Sequence, residues 1–292
     1  MEGGNEKKMK ILCLHGFRAS GSFSQKQISK WGSLRHGWYC YGTHRLCLGQ
    51  PSNNLCIYKE VFLDGIFPAG GKSDIEGIFP PPYFEWFQFN GKEFTQYTNL
   101  DECVSYLCEY IVTKGPFDGL LGFCQGAVLA ALLLGYQAQG KVLKDHPPFK
   151  LFISVSGIKF RDPSICDIAY KDPIRVRSVH FIGAKDWLKV PSEELAAAFK
   201  DPLIINHPQG HSVPRLGKPS FLLLQFIDCI SILFLNFHPL KFEPLPLDNG
   251  HPPKQQWKQS SEAGRRPWLR RPFLKKELRT KNLICRGVIK PK

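Results

Sequence analysis

No Cys-x-x-Cys pair occurs among the ten cysteines of this 292-residue chain, which removes the spacing that zinc ribbons and thiol-exchange motifs use. The nearest thing to a metal cluster, Cys40, His44, Cys47 and Cys56, has spacings that match no common site. No metal is expected. No cleavable leader is expected either, because the early apolar run is only Ile11 to Leu14. The cysteines are therefore expected as free thiols in a reducing compartment, cytoplasmic, with a nuclear location as the second reading. Long hydrophobic runs are scarce. Phe221 to Phe237 is the one candidate, and Gln225, Asp228 and Ser231 break it at a spacing of three. A spanning helix needs about 20 apolar residues, and an Asp near its centre costs about 2.5–3.5 kcal/mol, so this stretch reads as a buried closing helix. Nucleotide-binding signatures are absent too. Gly70-Gly71-Lys72-Ser73 looks like the end of a phosphate loop, but Ile66 stands where that loop needs its first Gly, and no G-x-G-x-x-G accompanies it.

Acidic residues are few: 25 Asp and Glu face 39 Lys and Arg, a formal net charge of +14. Residues 238–292 hold 14 of the basic and 4 of the acidic residues, a surplus of 10, which leaves 25 against 21 for residues 1–237. The body is thus nearly balanced. The tail is rich in Pro and in Arg and Lys, with almost no periodic apolar face, and reads as disordered by composition. Arg265, Arg266, Arg270, Arg271, Lys275 and Lys276, interleaved with Trp268 and Phe273, could engage phosphates and bases, although a solvated tail accounts for the same composition. There is no firm evidence for a nucleic-acid or membrane partner.

Within the body, short apolar runs bounded by turn residues alternate with helical patterns. That alternation predicts an α/β fold, a mostly parallel sheet with helices on both faces. Strands are expected at Lys10–His15, Val61–Leu63, Phe117–Phe123, Lys150–Ser156, Arg177–Gly183 and Pro202–His207. Helices are expected at Leu100–Lys114, Gln125–Gln139, Ser192–Lys200 and Lys218–Phe234. Residues 32–58 show neither period and form an atypical insert where a crossover would want a helix. The expected organisation is one domain over residues 1–237, interrupted at 32–58, followed by the tail at 238–292.

The strongest local motif is Gly122-Phe123-Cys124-Gln125-Gly126, between an expected strand and an expected helix. This is the G-x-nucleophile-x-G elbow, in which small flanking residues permit a sharp turn that lifts the nucleophile out of the sheet. Cys124 would also stand at a helix N-terminus, which favours thiolate. A nucleophile needs a base and an acid to orient it, and in this fold they follow in the order nucleophile, acid, base. Asp186 follows the strand ending at Gly183, and His211 follows the strand ending at His207. The three are the candidate catalytic residues. Two backbone amides are candidates for an oxyanion hole: that of Phe17, in the turn His15-Gly16-Phe17, and that of Gln125. His15 is expected to shape this turn rather than to transfer protons. Seven aromatics between Phe79 and Phe94 either wall an apolar pocket or pack their loop onto the domain.

Several longer stretches together resemble the FSH family of serine hydrolases, particularly its plant members. They are Lys10 to Gly21, Phe62-Leu63-Asp64 with Gly71 to Asp74, Tyr83 to Trp86, Gly115 to Gly119, and His207 to Arg215. The resemblance covers residues 9–31 and 59 to about 235. It implies an α/β-hydrolase fold and carboxylester hydrolysis without a cofactor. It also implies a triad that falls on Cys124, Asp186 and His211, with Cys124 where the family's elbow has Ser. The function implied is hydrolysis of a small-molecule ester or thioester by a Cys-His-Asp variant of the triad. A catalytically degenerate ligand-binding relative is the alternative. Residues 32–58 and the segment after Phe237 match nothing in the family.

Overall fold

A computed structural model describes residues 9–29, 31, 58–90 and 95–215. The expected insert, the helix at Lys218–Phe234, the apolar stretch Phe221–Phe237, the basic tail and Cys40, His44, Cys47 and Cys56 lie outside the described residues, apart from the last residue of the insert, Tyr58, which begins a strand. No helix among the described residues is long and apolar enough to cross a membrane.

The sheet is built from six parallel strands: β1 (Met9–Leu14), β2 (Tyr58–Leu63), β7 (Gly119–Phe123), β8 (Leu151–Val155), β9 (Arg177–Gly183) and β10 (Leu203–His207), in the order β10-β9-β8-β7-β1-β2. Successive side chains of a strand point to opposite faces, so a sheet covered on both sides reads as an unbroken apolar run. Leu12, Leu14, Leu120 and Phe152 join the core on one face. Their neighbours Ile11, Cys13, Leu121 and Ile153 join a second core with Val179, Phe181 and Ile205. This fits an α/β-hydrolase sheet, and all six strands fall where the sequence predicts them to within three residues.

On the first face lie α2 (Leu100–Lys114) and α3 (Gln125–Ala138). α2 buries Leu100, Cys103, Val104, Leu107 and Ile111, one stripe at helical spacing, and carries Asp101 and Glu102 in its first turn, where the macrodipole favours negative charge. α3 is buried almost all round. At Gly135 an added Cβ would lie 2.2 Å from the Ala169 carbonyl oxygen, so glycine there admits α4 (Pro163–Ala169). On the opposite face α1 (Gly21–Ile28), capped by the Ser20 hydroxyl accepting from Phe23 N–H at 3.2 Å, packs with Trp31. α1 and α4 were not anticipated. Neither carries an apolar stripe that periodicity can detect: α1 buries only Gly21, Ser24 and Ile28, and α4 only Ile165 and Ala169.

α5 spans Lys189–Ala196, three residues ahead of the expected start at Ser192. Pro191 sits in its first turn, where the missing N–H costs nothing. Two short antiparallel pairs complete the described structure: β3 (Phe67–Pro68) with β4 (Phe84–Glu85), and β5 (Gln88–Asn90) with β6 (Gln96–Thr98). The aromatic segment between them settles one of the alternatives above in part. Trp86 and Phe87 are buried in the first core, so these two aromatics pack the segment onto the domain.

Candidate active site

β7 ends at Phe123 and α3 begins at Gln125, with Cys124 as the single residue between them. Its φ of 51° and ψ of −119° lie outside the regions an L-residue ordinarily occupies. Both flanking glycines are required by contact. A Cβ at Gly122 would lie 2.4 Å from the Ala127 backbone, and one at Gly126 would lie 2.3 Å from the Leu14 carbonyl oxygen. The bend is held by Cys124 N–H donating to Val155 O at 2.9 Å and by Cys124 O accepting from Ala127 and Val128.

The turns after β9 and β10 are stitched together. Ala184 N–H donates to His207 O at 2.7 Å and Lys185 N–H to Gln209 O at 3.1 Å. A Cβ on Gly183 would come within 2.6 Å of the Gly210 carbonyl oxygen. This brings Asp186 and His211 face to face: His211 Nδ1 is 3.1 Å from Asp186 Oδ2 and 3.2 Å from Oδ1. The carboxylate also accepts from Leu188 N–H at 2.8 Å and from the Ser156 hydroxyl at 2.6 Å. With Nδ1 turned to Asp186, the His211 ring also feels the Cys124 side chain, which favours its charged form. The ring lies between Phe123 and Trp187, with centroid separations of 5.1 and 5.6 Å.

Burial alone would disfavour ionisation of Asp186, but its hydrogen bonds from His211, Ser156 and Leu188 outweigh burial and lower its pKa. Burial likewise opposes a charge on His211. Its hydrogen bond to Asp186 and its interaction with Cys124 raise its pKa nonetheless, from 6.5 to about 10. The other described histidines, His15, His146, His180 and His207, all shift downward, chiefly through burial. His211 is the one described histidine that favours the protonated form.

The turn after β1 abuts the elbow. A Cβ on Gly16 would lie 2.8 Å from the Phe123 ring and 3.5 Å from Cys124 Cβ, so the residue before Phe17 packs against the elbow. His15 holds this turn. Its Nε2 accepts from Gly65 N–H at 2.9 Å, which leaves Nδ1–H to donate to Gly16 O at 2.7 Å, and burial lowers its pKa to about 4. Trp86 stacks on it, with ring centroids 4.8 Å apart, and donates its indole N–H to His15 O at 2.9 Å. Gln125 adds a second tie, with Oε1 accepting from Trp86 N–H and Nε2 donating to Phe87 O. Its backbone amide opens α3, where the first N–H groups have no partner within the helix. Trp86→Ala is expected to destabilise the protein by about 3–5 kcal/mol, measured as a lower midpoint of thermal unfolding by circular dichroism.

The Gly70-Gly71-Lys72-Ser73 segment also serves this turn. A Cβ on Gly71 would collide with the Arg18 guanidinium, Ser73 donates its hydroxyl to Arg18 O at 2.5 Å, and Arg18 pairs with Glu85 at 2.7 Å.

The model of the serine hydrolase (FSH1) family matches residues 1–219 of this chain. The chain belongs to that family. Among its relatives, the human esterase OVCA2 is 31% identical over 76% of this chain and 97% of its own length. Family of serine hydrolases 3 from Saccharomyces cerevisiae is 30% identical over 73% and 80%. A Schizosaccharomyces pombe protein named dihydrofolate reductase is 31% identical, and the chain spans 44% of its length. Among solved structures, Zea mays acyl-protein thioesterase 2 aligns with 80% of this chain and 95% of its own, at 15% identity and a TM-score of 0.49.

One residue of the FSH site escaped the sequence reading. Ser156, 1% exposed, has φ of 53° and directly follows β8, next to Val155, whose carbonyl holds the elbow. A Ser-Gly pair after an apolar strand is an ordinary turn signal, and only the three-dimensional contact shows that its hydroxyl addresses Asp186. Ser156→Ala is expected to raise the Asp186 pKa, because one donor to the carboxylate is lost. The acid limb of the pH–kcat/KM profile should move to higher pH, which a defect in folding alone would not produce.

Proposed function

We propose that this FSH-family hydrolase cleaves carboxylic ester or thioester bonds, with Cys124 as nucleophile, His211 as acid and base, and Asp186 as the group that orients His211. The observation that carries the reading is the strained elbow at Cys124 together with the His211–Asp186 pair, in which Nδ1 lies 3.1 and 3.2 Å from the two carboxylate oxygens. The Cys124 proton passes to His211, and the sulfur attacks the acyl carbon. The carbonyl π electrons move to oxygen, and the amides of Phe17 and Gln125 are the proposed donors that stabilise it. His211 returns the proton to the departing group, leaving an acyl-Cys124 thioester. Water then attacks as His211 takes its proton, and the sulfur leaves as the acid forms. Asp186 fixes the imidazole tautomer and stabilises its charged form.

The family takes its name from serine, and sulfur suits the same mechanism because the thiolate is nucleophilic near neutral pH. The test is hydrolysis of a panel of p-nitrophenyl esters and acyl thioesters by the full chain, together with iodoacetamide labelling followed by peptide mass spectrometry. Turnover, with Cys124 alkylated faster than the other cysteines and that preference lost in His211→Ala, supports the reading. If nothing in the panel turns over and Cys124 shows no preference, the chain binds ligands without catalysis.

A further inference from the structure

From the sulfur at the elbow and the clamped imidazole beside it, we infer that the substrate class is the acyl thioester, and that alkyl oxyesters are poor substrates. This rests on the reading of Cys124 as nucleophile given above and narrows it. After attack, the tetrahedral intermediate carries two groups that can leave: the Cys124 sulfur and the departing half of the substrate. The group with the more acidic conjugate acid leaves faster. A thiol has a pKa of about 8.5, whereas an alcohol is about as weak an acid as water, roughly 16. An alkyl oxyester intermediate therefore expels Cys124 and returns to substrate unless the alkoxide is protonated as it departs. A thioester intermediate holds two sulfurs of equal leaving ability and partitions about evenly, so a large share goes forward.

The surroundings of Cys124 add to this bias. The proton donor at hand is His211, and its charged form is held by both oxygens of Asp186 at 3.1 and 3.2 Å. Asp186 is itself fixed by Ser156 and Leu188, and Phe123 and Trp187 rings flank the imidazole. A proton on an imidazole held from both carboxylate oxygens is given up reluctantly. His15, the other imidazole near the elbow, has both nitrogens engaged with Gly65 and Gly16 and supplies no second acid. In deacylation the same clamp helps, because Asp186 favours the charged imidazole that forms as His211 takes a proton from water.

The steps balance. The Cys124 C–S bond forms and the substrate C–S bond breaks. The leaving thiolate takes the proton of His211. Water adds, its proton goes to His211, and the Cys124 C–S bond breaks to give carboxylic acid and thiolate.

The experiment compares three butanoyl substrates with the full chain: the S-butanoyl thioester of N-acetylcysteamine, ethyl butanoate and p-nitrophenyl butanoate. The thioester is expected to exceed the ethyl ester in kcat/KM by on the order of 10^3-fold or more, with the p-nitrophenyl ester also turned over because its phenolate leaves readily. Cys124→Ser should collapse that ratio, since an alkoxide nucleophile and an alkoxide leaving group compete evenly. Wild-type rates across a series of thiol and phenol leaving groups give a second measure that needs no variant, and they should fall steeply once the leaving-group pKa passes that of a thiol. An ethyl ester cleaved as fast as the thioester, or rates flat across that series, overturns the inference while leaving the nucleophile reading standing. A ratio unchanged in an active Cys124→Ser protein also overturns it. No turnover of all three substrates removes the nucleophile reading, and the inference falls with it.

Discussion

Cys124→Ala is expected to lower kcat/KM by about 10^4-fold or more, as removal of a triad nucleophile does in unrelated hydrolases. Folding should be little affected. The Cys124 side chain is only partly buried, and the elbow is held by backbone contacts that alanine keeps: the bond to Val155 O, and the approach of Gly122 and Gly126 to Ala127 and Leu14. The substitution also removes one of the partners that raise the His211 pKa, so the His211 imidazole should titrate lower in the variant. Three measurements separate a chemical from a structural loss. Thermal unfolding by circular dichroism should stay within a few degrees of wild type, acyl-enzyme should vanish from the mass spectrum of substrate-treated protein, and the His211 resonance should titrate at lower pH. A variant that keeps more than about a tenth of wild-type activity would assign the nucleophile elsewhere.

Sequence patterns recover the sheet because its information is local. Each strand is an apolar run with Gly, Pro or polar residues at its ends, and burial on both faces makes every position of Leu151–Val155 count. The elbow is legible for a similar reason: its two glycines stand at fixed distances from the nucleophile, and each is demanded by a close approach to the backbone. Asp186 and His211 are found by their order after successive strands. Contacts across the fold are different. Ser156 and Asp186 are 30 residues apart, and nothing in either segment announces that a strand end and a strand-end turn will meet. The same holds for Trp86, which sits in an aromatic run that suggests a pocket wall yet supplies the His15 turn with a stacking surface and a donor from 71 residues away. Helices α1 and α4 were missed because their ends are set by polar caps, Ser20 and Asp162, rather than by an apolar face.

Asp186→Asn should cost about 10^4-fold in kcat/KM with the fold retained, through loss of the correct imidazole tautomer. The carboxylate accepts from His211, Ser156 and Leu188 at once. An asparagine keeps one acceptor and gains an NH2 group. If the amide oxygen stays with Leu188, the NH2 takes the place of Oδ2 and faces Ser156 and Nδ1, forces that nitrogen to accept, and leaves the opposite nitrogen protonated, where it can no longer take a proton. If the amide turns the other way, a buried donor loses its acceptor, at about 1–3 kcal/mol. The pH dependence distinguishes this from a packing defect. In the wild type, the folded-state pKa of Asp186 is lowered, so its contribution to stability is present above the unfolded carboxylate range and fades as pH falls through it. His211 is raised from 6.5 to about 10, so its contribution is full below 6.5 and is lost as pH climbs toward 10. The stability difference between wild type and Asp186→Asn, followed by urea unfolding across pH, should therefore be largest from about 4 to 6.5. It should shrink on both sides, with the His211 titration moved down toward 6.5 in the variant. A difference that stays constant from pH 3 to 10 would mean that Asp186 contributes packing and hydrogen bonds but no charge coupling to His211.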